Sequence, residues 1–336
     1  MRANNKNLTT RIGASARLLV AIVMLSNALL LSACSVFERR GTPNTSETKT
    51  TTAGNQVSTK DSDFDQDKEN GEVADSAPTD RRRQKKVGII LGPGGAKALA
   101  EAGVLKELQR ARIPIQEVIG LEWGALIGGL FAQRGQAHEM EWKLYKLEKQ
   151  DMPGTGFLSS KLKPAEISSL RGYLKDSFSQ LDVQRTQIPF SCPSQTLALA
   201  DWRWSESGLL AREIEGCMAY LPLYDVQKGS MAAAFAAGEA AERLRKKGVE
   251  VVILVNVLNS GTLADPRQLP DSAASAILWQ EIRRSLRMAS TKVDEWIEVD
   301  TSAVGLSEFA RRKELFAAGE KAGQLAAKRL IEKYGF

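Results

Sequence analysis

Two short stretches carry residue types that can hold a developing negative charge. The first is Leu91-Gly92-Pro93-Gly94-Gly95-Ala96-Lys97-Ala98-Leu99, and the second is Val118-Ile119-Gly120-Leu121-Glu122-Trp123-Gly124-Ala125-Leu126. Each sets glycines between an apolar run and a helix-forming one. Glycine lets backbone approach a ligand closely, and amides at a helix start point toward negative charge. Taken singly, either stretch also fits a plain strand-to-helix turn, and the first equally fits a phosphate cradle. A Walker loop is excluded because Gly-Lys-Ser/Thr is absent, and the glycine spacing disfavours a dinucleotide loop. At the centre of the second stretch stands Glu122, and a carboxylate can act as a covalent nucleophile. At a helix start, however, it accepts backbone N–H bonds and is favoured by the dipole, which stabilises the charge and lowers its basicity. Glu122 is therefore expected to plug the anion pocket rather than react, with Lys97 adding an ion pair across it.

Other chemistries have little to draw on. The one histidine, His138, lies in a polar stretch and reads as a surface residue. Asp61, Asp63, Asp65, Asp67, Glu69 and Glu72 fall at the ligand spacing of a twelve-residue calcium loop. Gln66, however, stands where the sharp turn calls for Gly, Lys68 replaces an apolar residue, and neither flank reads as an amphipathic helix. An acidic tether is the simpler reading. No metal site and no cofactor are expected.

The elements that must position these residues read as α/β. Val87 to Leu91 is a short continuous apolar run followed at once by glycines, the pattern of a strand buried on both faces. Ala96 to Arg112 reads as a helix with Ala98, Ala102, Leu105 and Leu108 on one stripe, Ile115 to Ile119 as a strand, and Gly124 to Gln133 as a helix. Glu239 to Lys247 is a charged helix ending at Gly248, Val249 to Val257 the most clearly buried strand, and Leu315 to Tyr334 a closing helix. Trp202 and Trp204 alternate with polar residues, which fits a hairpin strand. The alternation argues for a mostly parallel central sheet covered by helices.

In this order and spacing the segments resemble the patatin-like phospholipase family. That family opens with a strand, a Gly-Gly-Gly-x-Arg/Lys-Gly oxyanion loop, a helix with Gly-Val-Leu, a Gly-Ile-Pro turn and a Gly-x-Ser-x-Gly elbow. Gly94-Gly95-Ala96-Lys97, Gly103-Val104-Leu105, Arg112-Ile113-Pro114 and Gly120 to Gly124 take those places in register. The likeness continues through Ile188-Pro189-Phe190, the Ser207-Gly208-Leu209 and Leu221-Pro222-Leu223 region, and Phe316 to Gly319. It implies a patatin-like three-layer α/β fold over 86–336, with Gly94, Gly95, Ala96 and Lys97 as the anion- or ligand-binding loop. The family uses a Ser–Asp dyad with loop amides on the oxyanion. Here the serine position holds Glu122, and the aspartate position falls on Ala232. Pro93 and Ala98 replace two further glycines, the latter tightening the loop against its helix. Asp225, seven residues before the expected aspartate, has no hydroxyl to activate, and Trp123 is expected to fill the vacated acyl site. The resemblance thus implies a degenerate member. The alternative is an active lipid acyl hydrolase using a non-standard nucleophile such as Glu122. In the family frame Cys192 and Cys217 map near the remnant site. They form either a disulfide closing a loop of about 25 residues or two buried thiols, and the thiol pair is at least as well supported.

The amino terminus reads as a cleaved leader. Arg2, Lys6, Arg11 and Arg17 precede a fourteen-residue run, Leu18 to Leu31, broken only by Ser26 and Asn27. The run is short of the ~20 apolar residues a membrane span needs. Leu31-Ser32-Ala33-Cys34 resembles the lipobox of bacterial lipoproteins, which implies a diacylglycerol on Cys34 and a stable anchor. Ser35 favours the periplasmic face of the outer membrane. Residues 1–33 are then the signal peptide, 34–85 a disordered linker poor in buriable residues, and 86–336 the folded domain. Ser35 to Asp80 would reach ~35–40 Å as a flexible coil. Loss of the leader removes four cations and lowers the formal charge from +6 to +2, so the basic pI is no argument for nucleic acid. The run Arg81-Arg82-Arg83-Gln84-Lys85-Lys86 reads as a solvated domain boundary. The expected partners are the membrane through the anchor, and a lipid ligand or an envelope protein.

Overall fold

The computed structural model describes residues 84–152, 165–198, 201–226, 229–258 and 273–336. The leader, Cys34, the linker up to residue 83 and its acidic run lie outside the described residues. In chain order the main elements are β1 (Val87–Leu91), a 3-10 turn (Gly95–Leu99), α1 (Ala100–Arg110), β2 (Ile115–Gly120), α2 (Trp123–Arg134) and α3 (Ala137–Tyr145). There follow α4 (Arg171–Phe178), β3 (Phe190–Thr196), β4 (Asp201–Ser205), α5 (Leu210–Met218), β5 (Ser230–Ala232) and α6 (Ala237–Lys246). The chain continues through β6 (Val251–Asn256), α7 (Ala273–Ala289), β7 (Glu295–Glu298) and α8 (Arg312–Tyr334).

Among the described residues seven strands form one sheet in the order β4-β3-β2-β1-β6-β7, with β5 pairing β3. The pairs β1–β2, β1–β6, β2–β3 and β6–β7 are parallel, whereas β4 and β5 run antiparallel to β3. Every residue of β1 and β6 is buried, as their unbroken apolar runs require of strands covered on both faces. Trp202 and Trp204 lie on β4, opposite Gln195 and Pro193 of β3.

The expected helix from Ala96 begins instead as a tight 3-10 turn that passes into α1. Short 3-10 pieces at helix starts are common, and here the turn aims the Gly94 and Gly95 amides sideways. α1 in turn packs closely on α8: a Cβ on Gly319 would stand 1.7 Å from the Ala100 carbonyl oxygen, so only glycine lets the helices meet at that depth. Since β1 continues to β2 on one side and pairs β6 on the other, the strand order switches direction at β1. In open α/β sheets the crevice at the carboxyl ends of such strands is where ligands bind.

Candidate functional site

Both glycine turns sit at that crevice. β1 feeds the Gly92–Gly95 loop, and β2 feeds the Leu121–Glu122 turn into α2. The loops interlock through backbone: a Cβ on Gly124 would lie 2.6 Å from the Leu91 carbonyl oxygen and 2.8 Å from that of Gly92. Glu122 adopts φ 53°, ψ −121°, a conformation seldom taken by a residue with a side chain. Strain of this kind costs ~1–3 kcal/mol and persists only where surrounding structure imposes it. It is the backbone form of a nucleophile elbow, in which a sharp strand-to-helix turn thrusts one side chain out at the end of the sheet.

The Glu122 side chain crosses to the first loop. The Gly94 and Gly95 amides each donate to its Oε2 at 3.0 Å. Two amides converging on one oxygen at this distance form an oxyanion-hole geometry, and here the occupant is the chain's own carboxylate. The other oxygen, Oε1, is buried without a hydrogen-bond partner. The indole nitrogen of Trp123 and the hydroxyls of Tyr220 and Tyr224 are likewise buried and unpartnered, and the charge of Glu122 reaches both tyrosines. The Trp123 ring packs against Phe309, with centroids 4.5 Å apart, and against Tyr224 at 6.4 Å. Residue Glu122 is 0% exposed, so the crevice is sealed.

Burial corrects the expected basicity. The carboxyl of Glu122 is pushed up to about 7, because desolvation outweighs the opposing amides of Trp123, Gly95 and Gly94. The amides and helix start do act in the expected direction, but loss of water is the larger effect. Lys97 is corrected too. Its ammonium donates to the Thr301 carbonyl at 2.9 Å, away from Glu122. Burial, and then the charge of Arg283, lower it to about 8 against the pull of Asp300 and Glu308. Of the four expected loop residues, only Gly94 and Gly95 hold the carboxylate. The Ala96 amide donates to the Leu306 carbonyl at 2.8 Å and the Lys97 amide to that of Gly94 at 3.0 Å.

Ala232 ends β5, buried opposite Ser194 of β3, with its amide donating to the Ala219 carbonyl at 2.7 Å. Its methyl can neither accept nor donate a proton. Asp225 and His138 are exposed. Cys192 of β3 and Cys217 of α5 are joined in a disulfide with Cα atoms 6.0 Å apart, so the two thiols of the alternative are paired.

One residue escaped the reading of the sequence. Glu101, on the buried face of α1, is fully enclosed, and neither carboxylate oxygen makes a hydrogen bond of normal geometry. Burial raises its carboxyl well above the usual range, with the nearby Gly92 amide opposing and the charge of Glu122 adding. The clue was available: Glu101 lies three residues after Ala98 and four before Leu105, on the apolar stripe where a carboxylate is out of place. Among the described residues no cluster of His, Cys, Asp and Glu could hold a metal ion, and no helix is long and apolar enough to cross a membrane.

Residues 89–239 match the model of the patatin-like phospholipase family. The chain is similar to a lysophospholipase of Coccidioides immitis, 23% identical over 287 residues, covering 75% of this chain and 18% of that protein. It is also 29% identical over 156 residues to a neuropathy target esterase of Drosophila virilis, covering 43% of this chain and 10% of that protein. The chain thus spans less than a fifth of the length of either relative. VipD from Legionella pneumophila aligns with 75% of this chain and 67% of its own, at 13% identity and a TM-score of 0.39. The family match, the similarity to these relatives and the parallel-sheet architecture agree on a patatin-like phospholipase domain over the matched residues, 89–239.

Proposed function

We propose that this chain is a membrane-anchored lipoprotein, held through a lipid on Cys34, whose patatin-like domain has lost its Ser–Asp dyad and binds a lipid or an envelope protein without hydrolysing it. One observation carries the reading: the Glu122 carboxylate sits on the Gly94 and Gly95 amides, fully buried, where a substrate oxyanion would have to go. A group already filling the hole competes with any tetrahedral intermediate. Ala232, at the position matched to the family's aspartate, offers no base.

The test uses the full chain carrying Cys34→Ser, so that no lipid is attached, with a chromogenic short-chain ester and a serine-reactive fluorophosphonate. Neither turnover nor label is expected. The second reading, an acyl hydrolase working through Glu122, draws on the carboxyl's titration near neutral pH, where a general acid or base is most effective. Ester turnover abolished by Glu122→Gln would establish it and overturn the first. Anchoring is checked separately. The unsubstituted chain should take up labelled palmitate and fractionate with outer membrane, and Cys34→Ser should do neither.

A further inference from the structure

The crevice is sealed, but a groove beside it is open. A cavity of about 780 Å³ lies between α6 and α7, floored by the start of β4. This volume falls within the usual range for small-molecule sites, ~300–1,000 Å³, lined mainly by apolar and aromatic groups. Its walls are Trp202, Tyr220, Phe235, Leu278, Met288 and Ala289. They are held in place by specific contacts. Trp202 meets Phe235 edge-on with centroids 5.5 Å apart, and the Ser285 hydroxyl donates to the Phe235 carbonyl. Tyr220 meets Trp279 edge-on at 5.8 Å, and the Trp279 indole donates to the Leu221 carbonyl at 3.0 Å. Met288, 62% exposed, stands at the mouth.

The rim carries two acids, Glu239 and Glu281, and two bases, Arg284 and Lys292. Glu281 and Arg284 pair with each other at 3.1 Å, and Lys292 pairs with Glu242 at 2.6 Å, all at the surface. Exposed pairs are weak, so these charges can exchange partners at little cost. A rim of balanced sign suits a headgroup that bears both signs rather than a simple anion.

We infer that this groove binds the hydrocarbon chain of a single-chain zwitterionic amphiphile, with the headgroup at the rim of α6 and α7, and that it does so apart from the Glu122 crevice. The inference deepens the reading of a non-hydrolytic lipid binder by assigning the ligand's chemistry and its place. Tyr220 forms the partition: it is fully buried behind the groove wall, and its unpartnered hydroxyl lies within reach of the Glu122 charge.

The experiment titrates the Cys34→Ser full chain with sixteen-carbon lysophosphatidylcholine below its micelle concentration, read by tryptophan fluorescence and calorimetry, with palmitate and lysophosphatidylglycerol as comparison arms. Saturable one-to-one binding of the zwitterion is expected, at least tenfold tighter than that of either anion. Gly238 lines the groove, and a Cβ there meets only the Lys292 side chain, at 3.4 Å or more, so Gly238→Leu fills the groove without straining the backbone. It should weaken binding at least tenfold. Met288→Glu, on an exposed residue that cannot disturb the core, should do the same, and Glu122→Gln should leave affinity unchanged. Absence of saturable binding, equal affinity for the anions, or binding insensitive to both groove variants would overturn the inference. Ester turnover in the preceding test with groove binding intact would sink the non-hydrolytic reading and leave this site standing.

Discussion

The crevice around Glu122 and the groove beside Tyr220 are built in opposite ways. In the crevice backbone meets backbone: Gly124 lies against the Leu91 and Gly92 carbonyls, and two loop amides grip one carboxylate oxygen. In the groove, rings and aliphatic side chains face one another across open space. Backbone atoms cannot rotate aside, whereas side chains can, so the first region should tolerate almost no change in volume and the second a good deal. Gly124→Ala is the most severe test, because its added methyl lands 2.6 Å from a carbonyl oxygen that is fixed in the sheet. Urea unfolding should show a loss of about 3 kcal/mol or more. Met288→Ala, at the groove mouth, should stay within about 0.5 kcal/mol of the parent. Equal losses at the two positions would break the contrast.

The disulfide ties the sheet to the segment that leads into Tyr220. Cys192 lies on β3, and Cys217 on α5 is three residues before Tyr220, so the bridge steadies the partition from the sheet side. Its sequence separation of 25 residues corresponds to about 3 kcal/mol of restricted unfolded chain. The double variant Cys192→Ala, Cys217→Ala should unfold at correspondingly lower urea, and adding a reductant should change the parent but not the variant. A parent indifferent to reductant would remove the bridge from the account.

Glu122 supplies a pH-dependent test of the crevice. Its carboxyl rises from 4.5 to about 7 on folding, so between those values the folded chain holds more protons than the unfolded one. Stability from this group is therefore complete below pH 4.5 and lost as pH climbs through 7, the reverse of a salt-bridged carboxylate. The shift corresponds to about 3 kcal/mol. Glu122→Gln keeps an acceptor for the Gly94 and Gly95 amides and cannot ionise. It should match the parent near pH 4 and exceed it by up to about 3 kcal/mol at pH 8. Glu101 is raised in the same direction and remains in the variant, so some slope should persist. Parallel stability curves for parent and variant would mean that Glu122 is not desolvated as described.

The two regions also differ in how far they could be read before folding. The crevice was legible because its parts are local. β1 and β6 are buried on both faces and appear as unbroken apolar runs, and each glycine turn follows its strand within a few residues. The fold, the elbow and the meeting of Glu122 with the loop all follow from that short-range order. The basicity of Glu122 does not, because local spacing reveals amides and helix starts but not the depth at which water is lost. The ion pair expected of Lys97 fails for a similar reason: its partner, the Thr301 carbonyl, is 204 residues away. The groove was invisible. Trp202, Tyr220, Phe235 and the 278–289 face come from separate segments that only the packing of β4, α6 and α7 brings together.

Charges at the groove should behave as ordinary surface charges, unlike the carboxylate in the crevice. Glu281 and Arg284 are 58% and 65% exposed and three residues apart on α7. Water solvates both, so their attraction is offset by the entropy of holding two long side chains in register. Glu281→Gln should change stability by less than about 0.5 kcal/mol, which for a domain of this size is a melting shift of about 2 °C or less. The change should also be screened away by salt, since exposed charges feel one another only over about a Debye length. Glu122→Gln, on a carboxyl that salt cannot reach, should keep its full effect at 1 M sodium chloride. If the Glu281 variant instead shifted melting as far as the Glu122 variant, and salt left that shift in place, the rim charges would be held as rigidly as the crevice carboxylate and would not be free to turn toward a ligand.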